Sequence, residues 1–236
     1  MSWTINKDIM QMLYLAHNFT GKSSLGAIRI QSNRIIASDH SIACILHTDM
    51  EVPETLYLPD NVFRALDLQK CEEFTLHRYP SFSSGISIYH MNVNGIHFVL
   101  PESNFQIEDL DHSSKRKFFD HNLKVRVSRS LLYEALQRML VSTRMNDDTK
   151  VLLKIDKGDI VLENKFANRA SERVLTEDAD MELNNLSILL SCDYLKTLVS
   201  EVPGDYLDLY LSREPGKPIL IKDIDGSIEF IQATVR

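Results

Sequence analysis

The residues best suited to chemistry in this sequence do not form a complete catalytic motif. Gly21-Lys22-Ser23 is similar to the end of a phosphate-binding loop, but that motif needs an upstream glycine and a preceding strand. Here the upstream glycine is missing, and a helical pattern precedes the lysine. We therefore interpret the segment as the end of a helix followed by a polar loop.

Histidines beside acidic residues are the second candidate for chemistry. Asp39-His40 and Asp120-His121 each place a carboxylate next to an imidazole, but neighbours on a strand point to opposite faces of a sheet. Further histidines occur at alternating strand positions without the spacing of metal ligands, namely His47, His77, His90 and His97. We therefore predict no catalytic residues, no metal site and no cofactor, and we expect a protein that is not an enzyme.

Composition places the chain among soluble globular proteins of one large or two ordinary domains. It has 236 residues, of which 44% are hydrophobic and 25% are charged. No segment approaches the ~20 apolar residues of a membrane helix, and the N-terminal segment lacks a secretory pattern. Cys44, Cys71 and Cys192 are widely spaced and fit a reducing, cytoplasmic location. The net charge of −7 argues against nucleic-acid binding over the whole surface but allows a local basic patch.

The elements that would carry any site occur twice along the chain. The segment IRIQSNRIIAS, from Ile28, aligns with LKIDKGDIVLE, from Leu153, and both have the pattern of strand, polar turn and strand. Three further matches follow in the same order: LYLPDNVFRAL with ILLSCDYLKTL, EEFTLH with GDYLDL, and GIHFV with SIEFI. Four ordered matches indicate a duplicated unit.

Each copy is predicted to open with an amphipathic helix. Apolar residues recur at helical spacing in two sets: Ile9, Met12, Leu13 and Ala16, then Leu132, Ala135, Leu136 and Met139. Because strand patterns predominate elsewhere, we predict an α+β fold of largely antiparallel sheets with both helices of a unit on one side. A charged segment interrupts the strand pattern. We therefore predict domains at 1–108 and 123–236, joined by a connector at 109–122.

The second half of the chain resembles the C-terminal domain of the bacterial beta clamp, a DNA sliding clamp. The segment VSRSLLYEALQRMLVSTRMNDDTKVLLKIDKGDIVLEN, from Val127, is similar to that domain's opening helix and the strand pair after it. LSILLSCDYLKTLVSEVPGDYLDLYLS, from Leu186, is similar to its second helix and the next strand. DGSIEFIQATVR is similar to its last strand, although Thr234 stands where the family usually has proline.

The first half resembles the middle domain of the same clamps. SDHSIAC, from Ser38, is similar to that domain's "T-D-G-H-R-L-A" segment with one glycine missing. VLPESNFQIEDL, from Val99, is similar to its exit. The resemblance covers nearly the whole chain. A bacterial beta clamp has three such domains, whereas this chain has two, as eukaryotic, archaeal and some viral clamps do.

The resemblance implies a ring of six clamp domains, with antiparallel sheets outside and two helices per domain facing a central pore. Two domains per chain would require a homotrimer. Double-stranded DNA would thread the pore without sequence readout, through contacts to its phosphates. The residues that would line the pore are cations on or beside the four predicted helices: Lys7, Arg64, Lys70, Arg129, Arg138, Arg144 and Lys196.

The resemblance also implies an apolar pocket for short linear peptides of DNA polymerases, clamp loaders and repair enzymes. The matching positions, which we expect to be partly exposed, are Ile42, Leu110, Ile231 and Ala233. The leading interpretation is a DNA polymerase processivity factor at a nucleoid or viral replication site. The alternatives are a clamp-fold transcription co-activator, a partner-binding module outside replication and, most remotely, a small nucleic-acid-processing enzyme that uses the Asp and His residues.

Overall fold

A computed structural model describes residues 2–20, 27–39, 41–52, 54–59, 74–79, 87–93, 95–101, 121, 123–144, 149–164 and 170–235. The chain divides into two compact units, unit 1 (Met1–Glu108) and unit 2 (Asp109–Arg236). We propose that each unit is one domain of the predicted duplication. Of the predicted connector, only His121 lies among the described residues, so the connector stays a prediction. The His121 ring Nε2 lies 2.7 Å from the carbonyl oxygen of Pro218.

Unit 1 consists, within its described residues, of one helix and eight strands. They are β1 (Ser2–Ile5), α1 (Lys7–His17), β2 (Ala27–Gln31), β3 (Arg34–Ser38), β4 (Ile42–His47), β5 (Leu56–Pro59), β6 (Phe74–Tyr79), β7 (Ile88–Val93) and β8 (Ile96–Pro101). The strands form two antiparallel sheets in the orders β1-β6-β7-β8 and β4-β3-β2-β5. The second helix predicted for this unit falls at 60–73, outside the described residues.

Unit 2 repeats this plan and adds a strand. Its elements are β9 (Leu123–Ser128), α2 (Arg129–Arg144), β10 (Lys150–Asp156), β11 (Asp159–Glu163), β12 (Ser171–Val174), β13 (Thr176–Ala179), a 3-10 turn (Met181–Leu183), β14 (Ser187–Ser191), α3 (Cys192–Glu201), β15 (Tyr206–Leu211), β16 (Ile219–Asp223) and β17 (Ile228–Gln232). The strands form two antiparallel sheets in the orders β12-β11-β10-β14 and β13-β9-β15-β16-β17. The fold is α+β, as predicted.

The two predicted strand–turn–strand segments have the same register. Gln31 lies opposite Arg34 across β2 and β3, and Asp156 lies opposite Asp159 across β10 and β11. Asn33 in the first turn and Gly158 in the second both have positive φ, at 65° and 88°. Because Asn and Gly adopt this left-handed conformation at lowest cost, each turn is encoded by its own sequence.

Two details of the predicted repeat are wrong. A strand, not a helix, opens each copy, since β1 precedes α1 and β9 precedes α2. The alignment of EEFTLH with GDYLDL is also one residue out of register. Ile5 and Val127 each lie two residues before their helix, and they pair with Phe74 and Leu207 respectively. A slip of one residue exchanges the two faces of a strand. The alignment therefore matched the buried Phe74 with the exposed Tyr206.

The helices bury one apolar stripe each. In α1, which begins where the Asn6 side chain accepts a hydrogen bond from the Ile9 amide at 3.0 Å, the buried residues are Ile9, Met10, Leu13 and Ala16. Met10, not the predicted Met12, completes this stripe. In α2 the four predicted positions are all fully buried: Leu132, Ala135, Leu136 and Met139. Burial of each large aliphatic side chain stabilises the unit by ~1.5–3 kcal/mol.

Candidate functional site

The two helices of unit 2 pack against each other, and two of the predicted pore cations lie where they meet. The Lys196 ammonium of α3 sits 5.4 Å from the centre of the Tyr133 ring on α2. The Arg129 guanidinium, at the start of α2, donates to the Val202 carbonyl at 3.3 Å, just after α3 ends. Both side chains are half-buried. Arg129 and Lys196 therefore help to hold the helix pair together as well as adding positive charge to its surface.

Arg138 is exposed, but its charge is offset by two carboxylates. Its Nε donates to Glu172 of β12 at 3.1 Å, and its Nη1 lies 3.7 Å from Glu134, one turn earlier on α2. The hydrogen bond to Glu172 raises the pKa of Arg138. A phosphate approaching this guanidinium would have to compete with Glu172 for it.

The most exposed line of α2 carries no cation. At 100° per residue, Ser130, Glu134, Gln137 and Val141 fall on one line along the helix, and all four are exposed, Val141 to 69%. The predicted cations flank this line. The face that would meet DNA is therefore neutral to acidic at its centre, a feature that the search for cations missed.

The remaining predicted pore residues are placed as follows. Lys7 is exposed in the first turn of α1 in unit 1. Arg144 ends α2, and Arg64 and Lys70 lie outside the described residues. The described structure thus brings Arg129 and Lys196 to one helix junction and places Arg138 at the β12 side of α2.

The predicted peptide pocket contains more buried residues than expected. Ile42, the first residue of β4, is 5% exposed, and Ile231 in β17 is 6% exposed. Ala233, just after β17, is exposed, and Leu110 lies outside the described residues. The expectation that the two isoleucines are partly exposed is wrong, because both are packed almost completely within the fold.

Hydrogen bonds fix β17 at both ends. Before the strand, the Asp223 carboxylate accepts from the Ser227 hydroxyl at 2.5 Å and from the Ile228 amide at 3.0 Å. At its other end, the buried Gln232 side chain donates to the Ser191 carbonyl at 2.9 Å. Ser191 is also the N-cap of α3. The end of β17, beside Ile231 and Ala233, is therefore tied to the start of a helix in the same unit.

A row of alternating charges crosses the five-stranded sheet of unit 2, and the sequence argument missed it. Strand register places its members directly opposite one another in the order Asp178, Arg126, Asp208, Lys222 and Glu229. Arg126 makes two hydrogen bonds of 2.8 Å to Asp208, which raise the pKa of Arg126, and Lys222 lies 3.1 Å from Glu229. We call this set the charge row.

The described residues contain no cluster of metal-ligating side chains. No group of three or more His, Cys, Asp or Glu side chains among them could hold a metal ion. Cys44 and Cys192 are buried free thiols, and burial raises the pKa of Cys192 to about 12, so that thiol does not ionise near neutral pH. His40 and Asp120 lie outside the described residues, which leaves the two acid–histidine pairs untested.

None of the helices in the described part of the chain combines the length and apolar character needed to cross a bilayer.

Solved structures of bacterial sliding clamps share this fold over the whole chain. The beta sliding clamp of Caulobacter crescentus matches with a TM-score of 0.81 at 14% identity. The DNA polymerase III beta subunit of Thermotoga maritima matches with 0.78 at 15%, as does the Pseudomonas aeruginosa clamp bound to griselimycin. Each match covers 100% of this chain and 65% or 66% of the other. No family model and no curated protein sequence matches this chain.

The chain therefore has the DNA sliding-clamp fold, as the resemblance in its sequence predicted. It spans about two thirds of the length of these clamps, 65% in the Thermotoga protein. At 14–15% identity, the likeness establishes the fold and leaves the activity to be argued from the residues.

Proposed function

We propose that this chain is a non-enzymatic sliding clamp that encircles double-stranded DNA and tethers a DNA polymerase and other partners to it. The match of the whole chain to solved clamps, at a TM-score of 0.81, carries this proposal. Each compact unit would supply one clamp domain. In unit 2, α2 and α3 pack side by side over the sheets, which is the pairing a helix-lined pore requires.

A ring of six domains would need three copies of the chain, joined head to tail. Strand β8 ends its sheet in unit 1 and exposes Ile96 and Val99, each to 59%. Ile231, the counterpart of Val99 in unit 2, is buried. An edge strand with exposed apolar side chains favours pairing with another chain. We propose that β8 meets an edge strand of a second copy.

DNA would be held through its phosphates, without base readout. Lys7, Arg129, Arg138, Arg144 and Lys196 would supply positive charge from the helices, with Arg64 and Lys70 at positions outside the described residues. Because the central line of α2 is uncharged or acidic, we expect loose contact that permits sliding. Ile42, Leu110, Ile231 and Ala233 stay the proposed contact residues for peptides of a polymerase or a clamp loader.

The pairing of Arg138 with Glu172 and Glu134 favours a second candidate function. A clamp-fold protein with little free charge on its helices could bind partner proteins, as a transcription co-activator or scaffold outside replication, without encircling DNA.

The mass of the assembled protein tests the ring. We expect light scattering after size-exclusion chromatography to give about three times 27.1 kDa, and negative-stain images to show threefold rings. Val99→Glu should give monomers, because it places a charge on the exposed edge. Ile224→Glu, at a 47% exposed position in unit 2, is the matched control and should remain trimeric. A stable wild-type monomer at micromolar concentration would contradict the ring and favour the second candidate.

A further inference from the structure

An ordered group of aromatic and aliphatic side chains lies on one face of the sheet β1-β6-β7-β8. His77 lies directly opposite His90, and Tyr79 lies opposite Ile88. The Tyr79 and His90 rings meet edge to face at 5.4 Å, and the His77 and Tyr79 rings are 6.5 Å apart. We call these four residues the His–Tyr surface.

The His–Tyr surface is accessible although the other face of the same strands is buried. Tyr79 is 54% exposed and Ile88 is 39% exposed, whereas Tyr89 and Met91, on the opposite face of β7, are at most 1% exposed. Ring contacts already orient the two histidines and the tyrosine. A partner that binds here would therefore lose little side-chain entropy on the clamp side.

The charge of this face distinguishes it from the equivalent face of unit 2. On the described residues of β1, β6, β7 and β8, the titratable groups on this face are those of His77, Tyr79, His90 and His97. No carboxylate occurs among these described positions. A neutral imidazole donates one N–H, and a protonated one adds positive charge and a second donor. In unit 2, by contrast, the charge row supplies its own carboxylates to its own cations.

We propose that the His–Tyr surface binds a short acidic peptide segment with aliphatic or aromatic anchors, supplied by a partner protein. Carboxylates of the segment would accept hydrogen bonds from His77 and His90, and an apolar anchor would cover Tyr79 and Ile88. The site uses neither the helices nor β17, so it is separate from the proposed pore and peptide pocket.

A labelled peptide of sequence DLDFDLD is the probe, with KLKFKLK and DSDSDSD as controls for charge and for anchors. Fluorescence anisotropy with the full chain should show binding of the acidic peptide, and both controls should bind at least about tenfold more weakly. Equal binding of the lysine peptide, or no binding of the acidic one, would overturn the proposal.

Substitutions place the binding on this face. Ile88→Glu should weaken the acidic peptide at least about tenfold, and Ile224→Glu, at the exposed position in unit 2, should leave it unchanged. Retained peptide binding by Ile88→Glu would overturn the site. If that variant also changed the oligomer mass, the face would be a contact between copies of the chain. Loss of peptide binding by Ile88→Glu, with oligomer mass and DNA retention unchanged, would support the site independently of the proposed clamp function.

Discussion

One row of side chains crosses the equivalent sheet of each unit. In unit 1 the row has no carboxylate, lysine or arginine and consists of Thr4, Thr75, Asn92 and His97. In unit 2 the members at the same positions alternate in sign and are Arg126, Asp208, Lys222 and Glu229. The buried faces of both sheets remain apolar. The comparison indicates that inward-facing residues maintain the shared fold, whereas the outer face is free to acquire different chemistry.

The faces that carry the two rows differ in what they can bind. Opposite charges on neighbouring strands satisfy one another, and the Asp208 and Glu229 side chains are only 7% and 5% exposed. The outer face of unit 2 is therefore occupied by its own ion pairs. The face of unit 1 presents imidazole and phenol groups to solvent, which leaves it available to a partner.

The largest expected contrast concerns Ile231 and Val99, which hold equivalent positions in β17 and β8. Ile231→Ala should lower the free energy of unfolding by ~2–4 kcal/mol, because it leaves a cavity. In the dissociated chain, where the Val99 side chain is mostly exposed, Val99→Ala should cost less than about 0.5 kcal/mol. Urea unfolding at a concentration that dissociates the ring, followed by circular dichroism, measures both, and the fluorescence of Trp3, the single tryptophan, follows unit 1. Equal losses would mean that the two side chains are equally packed.

Burial of Ile231 also changes how its role in partner binding has to be tested. A truncation that destabilises unit 2 lowers the concentration of folded protein, and apparent peptide affinity falls with it. Peptide titrations of Ile231→Ala therefore need correction for the folded fraction. Ala233→Glu, at the exposed position beside it, provides the cleaner test of the pocket.

The second contrast compares the charge row of unit 2 with the equivalent row of unit 1. Asp208→Ala should destabilise the protein by ~1–3 kcal/mol, because it leaves Arg126 and Lys124 without their shared carboxylate. Thr75→Ala, at the equivalent position, should cost less than about 1 kcal/mol. Differential scanning calorimetry of both variants beside the wild type measures the difference. Restoration of stability in Arg126→Met/Asp208→Leu would show that most of the cost comes from leaving Arg126 without a carboxylate partner. Equal costs at Asp208 and Thr75 would remove the distinction between the rows.

Local patterns predicted much of the fold. The apolar spacing of α2 identified four of the five residues that are buried among its described side chains, all but Leu140. The turn residues located the paired segments around Asn33 and Gly158. The opening strand LKVRVS also alternates apolar and polar residues, so the signal for β9 was present. The prediction omitted this strand because the apolar residues of the helix that follows repeat more strongly.

The site was less predictable because its chemistry depends on distant pairings. Glu172 follows Arg138 by 34 residues, and Asp208 follows Arg126 by 82. Sequence alone does not give the strand register that joins such residues. It identified Arg138 as a cation on an exposed helix face, but it could not show the carboxylates that offset its charge. Burial of Ile42 and Ile231 likewise depends on what packs over them.

The smallest expected effect concerns the charge balance on the helices of unit 2. Glu172→Gln removes the carboxylate closest to Arg138 while keeping a side chain of the same size. If α2 faces DNA, the freed guanidinium can contact a phosphate, and each added phosphate contact steepens the logarithmic salt dependence of binding by ~0.9 on duplex DNA. Between about 50 and 200 mM salt, that amounts to an additional loss of affinity of about threefold.

Fluorescence anisotropy of a labelled duplex across this salt range measures the slope. Glu182→Gln is the matched control, because Glu182 is an exposed glutamate of unit 2 outside the helices and its loss changes the net charge equally. A steeper slope for Glu172→Gln alone would place Arg138 at the DNA and identify Glu172 as the group that restrains it. If both variants shift the slope equally, only the overall charge matters. If neither does, α2 does not meet DNA, and unit 2 would act as a protein-binding scaffold.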